Sequence, residues 1–394
     1  MINENVIQLG FDAERLHRVS NVLSAQIESG YIHGAAMRVS RRGQVVVDFV
    51  DGYADKATGR RLATDSVFVT MSACKPFTTV LVLGLVERGL LRLHSPVADT
   101  IPEFGRFGKE TITLFHLLTH TGGIMAGVPN AGPDVLGNIE KLVELLGSLP
   151  AECLPGERVS YSMLVAHSII AAMCLRVDGR GRSYSAMLRD EVFQPLGMSD
   201  TSLGLRTDLE ARVCPVRGAQ EVPYDAFPAT LIEPLVEEVI LAPGAEFPAA
   251  GGLTTITDLH RFAEMLRRGG ELDGVRLLAP ATLRLAARNW IGDKPNTVWD
   301  PILAPRGWRR FPDNIGLGLR VRGEGISPGP FGMLNSPGTF GHMGAGSTGL
   351  WVDPEHELSY ALLTTGLLEE SHHLERTSML SDLVMSALVE DPHS

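Results

Sequence analysis

The sequence predicts a protein of the α/β class, in which helices accompany an antiparallel sheet. Residues 11–29 place apolar side chains at helical spacing, which is typical of an amphipathic helix. Residues 33–50 contain two apolar runs separated by an Arg-Arg-Gly turn, which predicts a β-hairpin. A second hairpin is predicted over residues 339–365. Strand pairs are therefore expected towards both ends of the chain, with helical segments between them.

Composition is that of an ordinary globular protein and excludes several functional classes. The 394 residues are 44% hydrophobic and 21% charged, which suits roughly two or three domains with large cores. The net charge of −11 provides no overall attraction to nucleic acid or to an anionic membrane surface. No signal peptide and no apolar stretch of about 20 residues is evident, so we expect a cytoplasmic protein without a membrane segment.

Cysteine and histidine patterns do not indicate a metal site. The four cysteines are scattered and are interpreted as small buried hydrophobic residues (Cys74, Cys153, Cys174, Cys214). His116 and His120 have the spacing of two metal ligands on a helix, but no glutamate follows His116 as in the zinc motif H-E-x-x-H. We therefore expect no metal and no cofactor.

The most informative stretch is Ser72-Ala73-Cys74-Lys75, an S-x-x-K pattern that opens a predicted helical stretch reaching about residue 99. A serine hydroxyl needs a neighbouring base before it can act as a nucleophile. Lys75 lies three positions after Ser72, on the same face of a first helical turn. The positive end of the helix dipole and partial burial both disfavour the ammonium form. An ordinary helix start with an exposed lysine would give the same four residues, so the pattern alone decides nothing.

Further segments carry weaker signals. Helices are predicted over residues 135–149 and 162–177, and the loop before the second delivers Tyr161. Its phenol either enters a cleft, or its ring is buried in the core while its hydroxyl contacts solvent. Gly251-Gly252-Leu253 precedes a predicted helix with Asp258 near its start. Residues 290–337 are rich in Gly, Pro and Trp, and we expect them to form long loops that frame a site.

Residues 344–349 fit the dinucleotide-binding pattern G-x-G-x-x-G. That pattern binds a pyrophosphate only between a strand and a helix. Here a predicted strand and Pro354 follow, and too few residues remain for the rest of such a domain. We therefore reject a dinucleotide site.

Ser72-x-x-Lys75, Tyr161 and His342-Met343-Gly344 occur in an order that resembles the serine β-lactamase and penicillin-binding protein superfamily. The chain is most similar to its class C branch, which also contains cytosolic esterases, transesterases and D-aminopeptidases. Supporting segments extend along most of the chain (Leu117-Leu118-Thr119-His120-Thr121-Gly122-Gly123, Pro195-Leu196-Gly197-Met198, Gly251-Gly252-Leu253 with Asp258, Gly341-His342-Met343-Gly344). Each segment is weak alone, but together and in this order they make the resemblance specific.

The resemblance implies a mostly antiparallel sheet flanked by helices, built from residues 1–75 and 205–394. A mainly helical domain, residues 76–204, would be inserted into it. The site would lie between the two parts, as sites often do at domain interfaces.

The resemblance also implies a role for each site residue. Ser72 would be the acylated nucleophile, and Lys75 and Tyr161 would share its proton. We expect their mutual proximity and the helix end to lower both pKa values. His342 stands where the family's Lys-Thr-Gly motif begins, and the backbone N–H groups of Ser72 and Ala345 would form the oxyanion hole.

Two departures from the family pattern affect the expected substrate. The family's Tyr-x-Asn motif ends in Met163 here, so an amide that holds β-lactam side chains is missing. His342 replaces a lysine and is neutral or partly charged near pH 7, which weakens recognition of a carboxylate. Met163, Gly344 and Ala345 are the expected substrate-binding positions.

The resulting expectation is a serine hydrolase that forms an acyl-enzyme and acts on small esters. Alternatives are acyl transfer to an alcohol or amine, D-amino-acid amidase or peptidase activity, weak β-lactamase activity, and an inactive binding protein on the same fold. A cysteine enzyme is disfavoured because Cys74 projects about 100–200° around the helix from Ser72 and Lys75. The expected partner is a small ester or acyl substrate, and the oligomeric state is not predicted.

Overall fold

The protein is described by a computed structural model over residues 6–128, 131–219 and 229–390. The strands in these ranges are β1 Gly34–Arg41, β2 Gln44–Asp55, β3 Arg60–Arg61, β4 Phe68–Val69, β5 Ser202–Leu203, β6 Gly252–Thr254, β7 Glu271–Leu272, β8 Val275–Arg276, β9 Arg320–Val321, β10 Phe340–Gly344, β11 Thr348–Asp353 and β12 Leu358–Thr365. The α-helices are α1 Ala13–Glu28, α2 Lys75–Glu87, α3 Leu114–Leu118, α4 Pro133–Leu136, α5 Ile139–Ser148, α6 Ala166–Asp178, α7 Tyr184–Leu188, α8 Ala229–Pro234, α9 Ile256–Arg267, α10 Pro280–Ala286, α11 Asp300–Leu303 and α12 Glu370–Ala387. None of these helices has the length and hydrophobicity that crossing a bilayer requires.

Seven strands form one antiparallel sheet in the order β3-β2-β1-β12-β11-β10-β9. Strand β1 pairs with β2 on one side and with β12 on the other, so that Gly34 lies opposite both Gly52 and Thr365. The first and last strands of the described chain therefore pair in the middle of the sheet. This arrangement confirms the predicted α/β class with a mostly antiparallel sheet.

Helices cover both faces of the sheet because side chains alternate along each strand. On one face, Met37 and Tyr360 share a hydrophobic core with Leu16 of α1 and with α12. On the other face, Ala36 belongs to a core that contains Phe262 of α9 and continues through α2 and α6. The second core reaches the chain segment that carries Ser72.

Both predicted hairpins are present, with one correction. The first turns at Arg42 and Gly43, whose φ angles are 52° and 79°. The second contains three strands, because a tight turn at Gly346 (φ 62°) separates β10 from β11. The G-x-G-x-x-G segment thus lies in a strand–turn–strand unit, not between a strand and a helix.

The predicted helices are present with different limits. The segment at 135–149 is split into α4 and α5, and α2 ends at Glu87, not near residue 99. Gly89, with φ 74°, carries the chain away from α2. Helix α12 has no counterpart in the sequence prediction, because its buried face includes many polar side chains (Ser371, His373, Arg376, Thr377, Ser381). Such a face has no apolar stripe for a periodicity analysis to detect.

Residues 76–204 contain α3 to α7, the short strand β5 and all of α2 except its first residue, whereas all seven strands of the large sheet lie outside this range. One hydrophobic core nevertheless runs across both limits and joins Val82 and Ile170 to Ala36. The division at 75/76 and 204/205 therefore stays a proposal about how the chain is organised.

Candidate active site

Ser72 lies in a 3₁₀ turn, Met71–Cys74, between β4 and α2. A hydrogen bond anchors the residue before this turn to strand β6, because Thr70 Oγ1 donates to Gly252 O at 2.9 Å. Met71 adopts φ 51°, a left-handed conformation that costs a bulky residue about 1–3 kcal/mol. The surrounding contacts stabilise this strained turn, and it presents the partly exposed Ser72 hydroxyl to a cavity.

Lys75 is completely buried, and its Nζ lies 2.8 Å from Ser72 Oγ. The same Nζ donates to Ala249 O at 2.7 Å and to Met163 O at 3.0 Å. Burial lowers the pKa of Lys75 to about 7, and nearby Arg320 acts in the same direction. A neutral amine has two N–H groups for the two carbonyls and a lone pair for the Ser72 proton. This geometry suits a lysine that acts as a base.

Tyr161 is buried beside this pair, with its ring centroid 5.1 Å from Lys75 Nζ. Its phenol oxygen has no hydrogen-bond partner among the described residues, although the nearby Ser72 hydroxyl contributes a downward shift to its pKa. Burial dominates and raises the pKa of Tyr161 well above its usual value. The expectation that both pKa values are lowered is therefore correct for Lys75 and wrong for Tyr161. At neutral pH Tyr161 is a neutral phenol, which can relay a proton by donating its own while its oxygen accepts another.

Long-range contacts hold Tyr161 in place. Its N–H donates to Asn296 Oδ1 at 2.9 Å, and Asn296 Nδ2 donates to Asp313 at 2.6 Å. His120 packs edge-on against the Tyr161 ring at 4.7 Å and accepts the N–H of Ser162 at 3.1 Å. The loop over residues 290–337 thus contributes to the site, as its composition predicted.

The two histidines with metal-ligand spacing have separate structural roles. His116 Nδ1 accepts the N–H of Thr113 at 3.2 Å and closes the first turn of α3. His120 instead binds the backbone of the Tyr161 loop.

His342 is buried on β10, and its ring lies 6.1 Å from the ring of Tyr161. Its Nδ1 donates to Met343 O at 2.7 Å, which leaves Nε2 as a hydrogen-bond acceptor. Burial, followed by the positive charges of Arg320 and Lys75, keeps the pKa of His342 well below its usual value. His342 is therefore neutral near pH 7 and offers no charge to a substrate carboxylate.

Gly344 brings β10 against the turn that carries Ser72. A Cβ atom on Gly344 would lie 2.1 Å from Thr70 O, so only glycine allows this approach. Thr348 Oγ1 donates to the same carbonyl at 2.6 Å. Gly344 thus packs behind the site, while the next residue, Ala345, lines the cavity. An oxyanion hole from the N–H groups of Ser72 and Ala345 stays a prediction.

The cavity in front of Ser72 has a volume of about 310 Å³ and a mostly apolar wall. The predicted residues Ser72, Tyr161, Met163, His342 and Ala345 all line it. Other lining residues come from α8 and the helical turn that follows it, the 290–337 loop, β9 and α12 (Leu231, Ile232, Leu235, Trp299, Arg320, Glu370). A larger groove of about 610 Å³ lies between Trp308 and α12, but it does not include any of the predicted site residues.

Arg320 and Glu370 are the charged wall residues that sequence reasoning missed. Arg320 is buried, forms an ion pair with Asp313 and lies over the rings of Tyr161 and Trp299, 5.0 Å from each centroid. Glu370 begins α12. Neither residue lies in a recognisable motif, and only strand pairing and the docking of α12 bring them to the cavity.

A serine that contacts a buried lysine at a cavity wall is typical of serine hydrolases that act through an acyl-enzyme. The chain belongs to the β-lactamase family, whose sequence model matches residues 19–383. This confirms the superfamily resemblance and defines the protein as a serine hydrolase.

Individual relatives support the same assignment. The chain is 28% identical over 357 residues to esterase/beta-lactamase LipL of Mycobacterium tuberculosis, covering 85% of this chain and 77% of that protein. It is 27% identical over 389 residues to esterase EstB of Burkholderia gladioli, covering 89% and 91%. A penicillin-binding protein homolog from Caulobacter crescentus shares the fold, with a TM-score of 0.78 and 24% identity over 95% of this chain and 98% of that one.

Proposed function

We propose that this protein is a carboxylesterase that cleaves small esters through an acyl intermediate on Ser72. The observation that carries the proposal is the 2.8 Å contact between Ser72 Oγ and the buried Lys75 Nζ. The mostly apolar cavity of about 310 Å³ suits a small acyl group. The names of LipL and EstB, both esterases, support the choice of an ester as substrate.

The proposed reaction has two half-reactions. Neutral Lys75 takes the proton of Ser72 Oγ while that oxygen forms a bond to the ester carbonyl carbon. The N–H groups of Ser72 and Ala345 stabilise the oxyanion, and the alcohol leaves with a proton delivered through Tyr161. Water then attacks the acyl-enzyme, its proton passes to the Lys75–Tyr161 pair, and Ser72 Oγ leaves protonated. His342 contacts the substrate as a neutral group.

Intact-mass measurement after incubation with a panel of acyl esters tests this function. The wild-type chain should gain the mass of one acyl group, and Ser72→Ala should gain none. Cys74→Ala is the matched control, because Cys74 lies in the same turn but is fully buried, and it should be acylated as the wild type is. Acylation that persists in Ser72→Ala and disappears in Cys74→Ala would refute the nucleophile assignment.

The same site is expected to treat β-lactams as poor substrates. Met163 offers no side-chain amide, and His342 offers no positive charge to the carboxylate that these drugs carry. We expect short-chain aryl esters to be cleaved far faster than nitrocefin, measured as kcat/KM. Comparable values for the two would instead support a β-lactamase.

The expected cytoplasmic location also stays a prediction.

A further inference from the structure

Among the described residues, Glu370 is the acidic side chain in the wall of the Ser72 cavity. It is buried, and its Oε2 accepts the N–H of Gly346 at 3.0 Å. Among the described residues it forms no ion pair with an arginine, lysine or histidine. The Glu370 carboxyl group takes no part in the proposed acyl transfer to Ser72. Its position at the cavity therefore has to be explained by another role.

The other ionisable groups that the structure describes at the cavity are paired or uncharged near neutral pH. Arg320 is paired with Asp313, and both side chains are 4% exposed. His342 is neutral because burial lowers its pKa, and Tyr161 is neutral because burial raises its pKa. Lys75 must be uncharged in the reactive state, so its charge does not enter the comparison of substrates.

Glu370 itself is ionised when the pH is above neutral. Burial raises its pKa to about 7, Glu369 adds to that effect, and the Gly346 N–H and Arg320 oppose it. Above pH 7 Glu370 therefore gives the described part of the reactive cavity a negative charge that no ion pair compensates. A charge in a partly desolvated cavity acts over several ångströms with little screening.

We propose that Glu370 sets the charge preference of the acyl cavity. The enzyme favours esters that carry an ammonium group away from the reacting carbonyl, and it disfavours esters that carry a carboxylate there. This inference rests on the proposed esterase function and names its substrate class. It also gives a third reason, besides Met163 and His342, why carboxylate-bearing β-lactams are disfavoured.

Glu370 has a structural contact that the test must keep. Gly346 follows Ala345, and its carbonyl also accepts the N–H of Leu368 at 3.0 Å, so the Glu370 contact helps to hold the turn that carries Ala345. Glu370→Gln retains an oxygen acceptor for Gly346 and removes only the charge. Glu370→Ala would remove both and is not informative.

The test measures kcat/KM for three aryl esters of matched length, which are neutral, trimethylammonium-bearing and carboxylate-bearing. At pH 8 the wild type should favour the cationic over the anionic ester, and Glu370→Gln should reduce this ratio by at least about tenfold. The ratio is taken within each variant, so a change in overall rate cancels. In the wild type it should rise from pH 6 to pH 8, and in Glu370→Gln it should not.

Glu369→Gln is the matched control. Glu369 undergoes the same change of charge one position earlier, but it caps α12 through Ser371 and His372 and does not line the cavity. It should change the ratio less than about threefold. An unchanged ratio in Glu370→Gln, or an equal change in both variants, would overturn the inference.

Failure of the esterase proposal is distinguishable from failure of this inference. If none of the three esters is turned over, the proposed function is wrong. The charge preference is then measured by calorimetry with the corresponding cationic and anionic methyl ketones. The affinity ratio of these ketones should still fall about tenfold in Glu370→Gln, and an unchanged ratio would refute the role of Glu370.

Discussion

Two clusters among the described residues place serine beside both a basic residue and other polar groups, and one of the two faces the acyl cavity. In the first, Ser72 contacts Lys75 at the cavity wall. In the second, Ser40 of β1 and Ser359 of β12 stand opposite each other and contact His260 and Glu264 of α9. From residue types alone, the serine–histidine–glutamate cluster looks more like a hydrolase site than the serine–lysine pair.

The two clusters differ in how many of their polar groups have hydrogen-bond partners. Ser40 Oγ lies 2.5 Å from Glu264 Oε1, 2.7 Å from Ser359 Oγ and 3.0 Å from His260 Nε2. Both serines are 0% exposed, so no substrate carbon can approach them. In the active-site cluster, Ser72 is partly exposed and the Tyr161 hydroxyl has no partner among the described residues. A saturated buried network stabilises the fold, whereas an incomplete network beside a cavity can transfer protons.

Replacing Ser72 and Ser40 by alanine, one at a time, should give the largest difference in activity between the two clusters. Ser72→Ala should lower kcat/KM for an aryl ester by roughly 10⁴–10⁶, because the nucleophile is lost. Ser40→Ala should leave the folded enzyme active within a few-fold and reduce the free energy of unfolding by about 1–3 kcal/mol, because Glu264 loses a donor. Ester kinetics and denaturant unfolding measure both. A folded Ser40→Ala protein without activity would contradict this division of roles.

Two buried phenols provide the next contrast. Tyr161 and Tyr360 both have hydroxyls without partners among the described residues, and burial raises the pKa of both. Tyr161→Phe should lower kcat/KM by on the order of 10²–10⁴, as expected for loss of a proton-transfer group. Tyr360→Phe, on the opposite side of the sheet beside Trp351, should have little effect. Equal effects of the two substitutions would show that Tyr161 acts only through packing.

The pH profile tests which group is the base. Because the pKa of Lys75 is lowered to about 7, the amine becomes protonated below that pH, and kcat/KM should fall about tenfold per pH unit. The profile belongs to the coupled Lys75–Tyr161 pair, although the raised pKa of Tyr161 leaves Lys75 as the titrating member. His342→Asn should keep this acid limb. If the limb vanishes there while Tyr161→Phe stays fast, His342 is the base and the proposed mechanism is wrong.

The smallest expected effect concerns stability at the second cluster. Burial lowers the pKa of His260 below its usual value, so the folded state stays neutral where the unfolded state takes up a proton. Stability should therefore be complete above about pH 6.5 and decrease as pH falls below it. His260→Gln should remove about 1–2 kcal/mol of this decrease between pH 7 and pH 5, measured by urea unfolding. An identical slope in wild type and variant would show that His260 is not the titrating group.

Where the information is local, sequence reasoning selected residues that the structure brings together around Ser72. Ser72 and Lys75 are three positions apart, and Tyr161 and His342 occupy short motifs in a recognisable order. It failed for Arg320 and Glu370. These two reach the cavity only because β9 pairs with β10 and α12 packs on the sheet, and the buried polar face of α12 has no period that would reveal it.

The sequence by itself determined the class of fold and predicted Ser72 as the nucleophile and a histidine in the third motif, because residue types and short spacings carry those properties. Only the tertiary structure decided the protonation states and the charge of the site. The pKa of Lys75 is lowered by burial, and that burial involves contacts with Met163 and Ala249, far along the chain. Burial also reversed the expected shift of Tyr161. Desolvation depends on all the atoms around a group, and these atoms come together only in the folded chain.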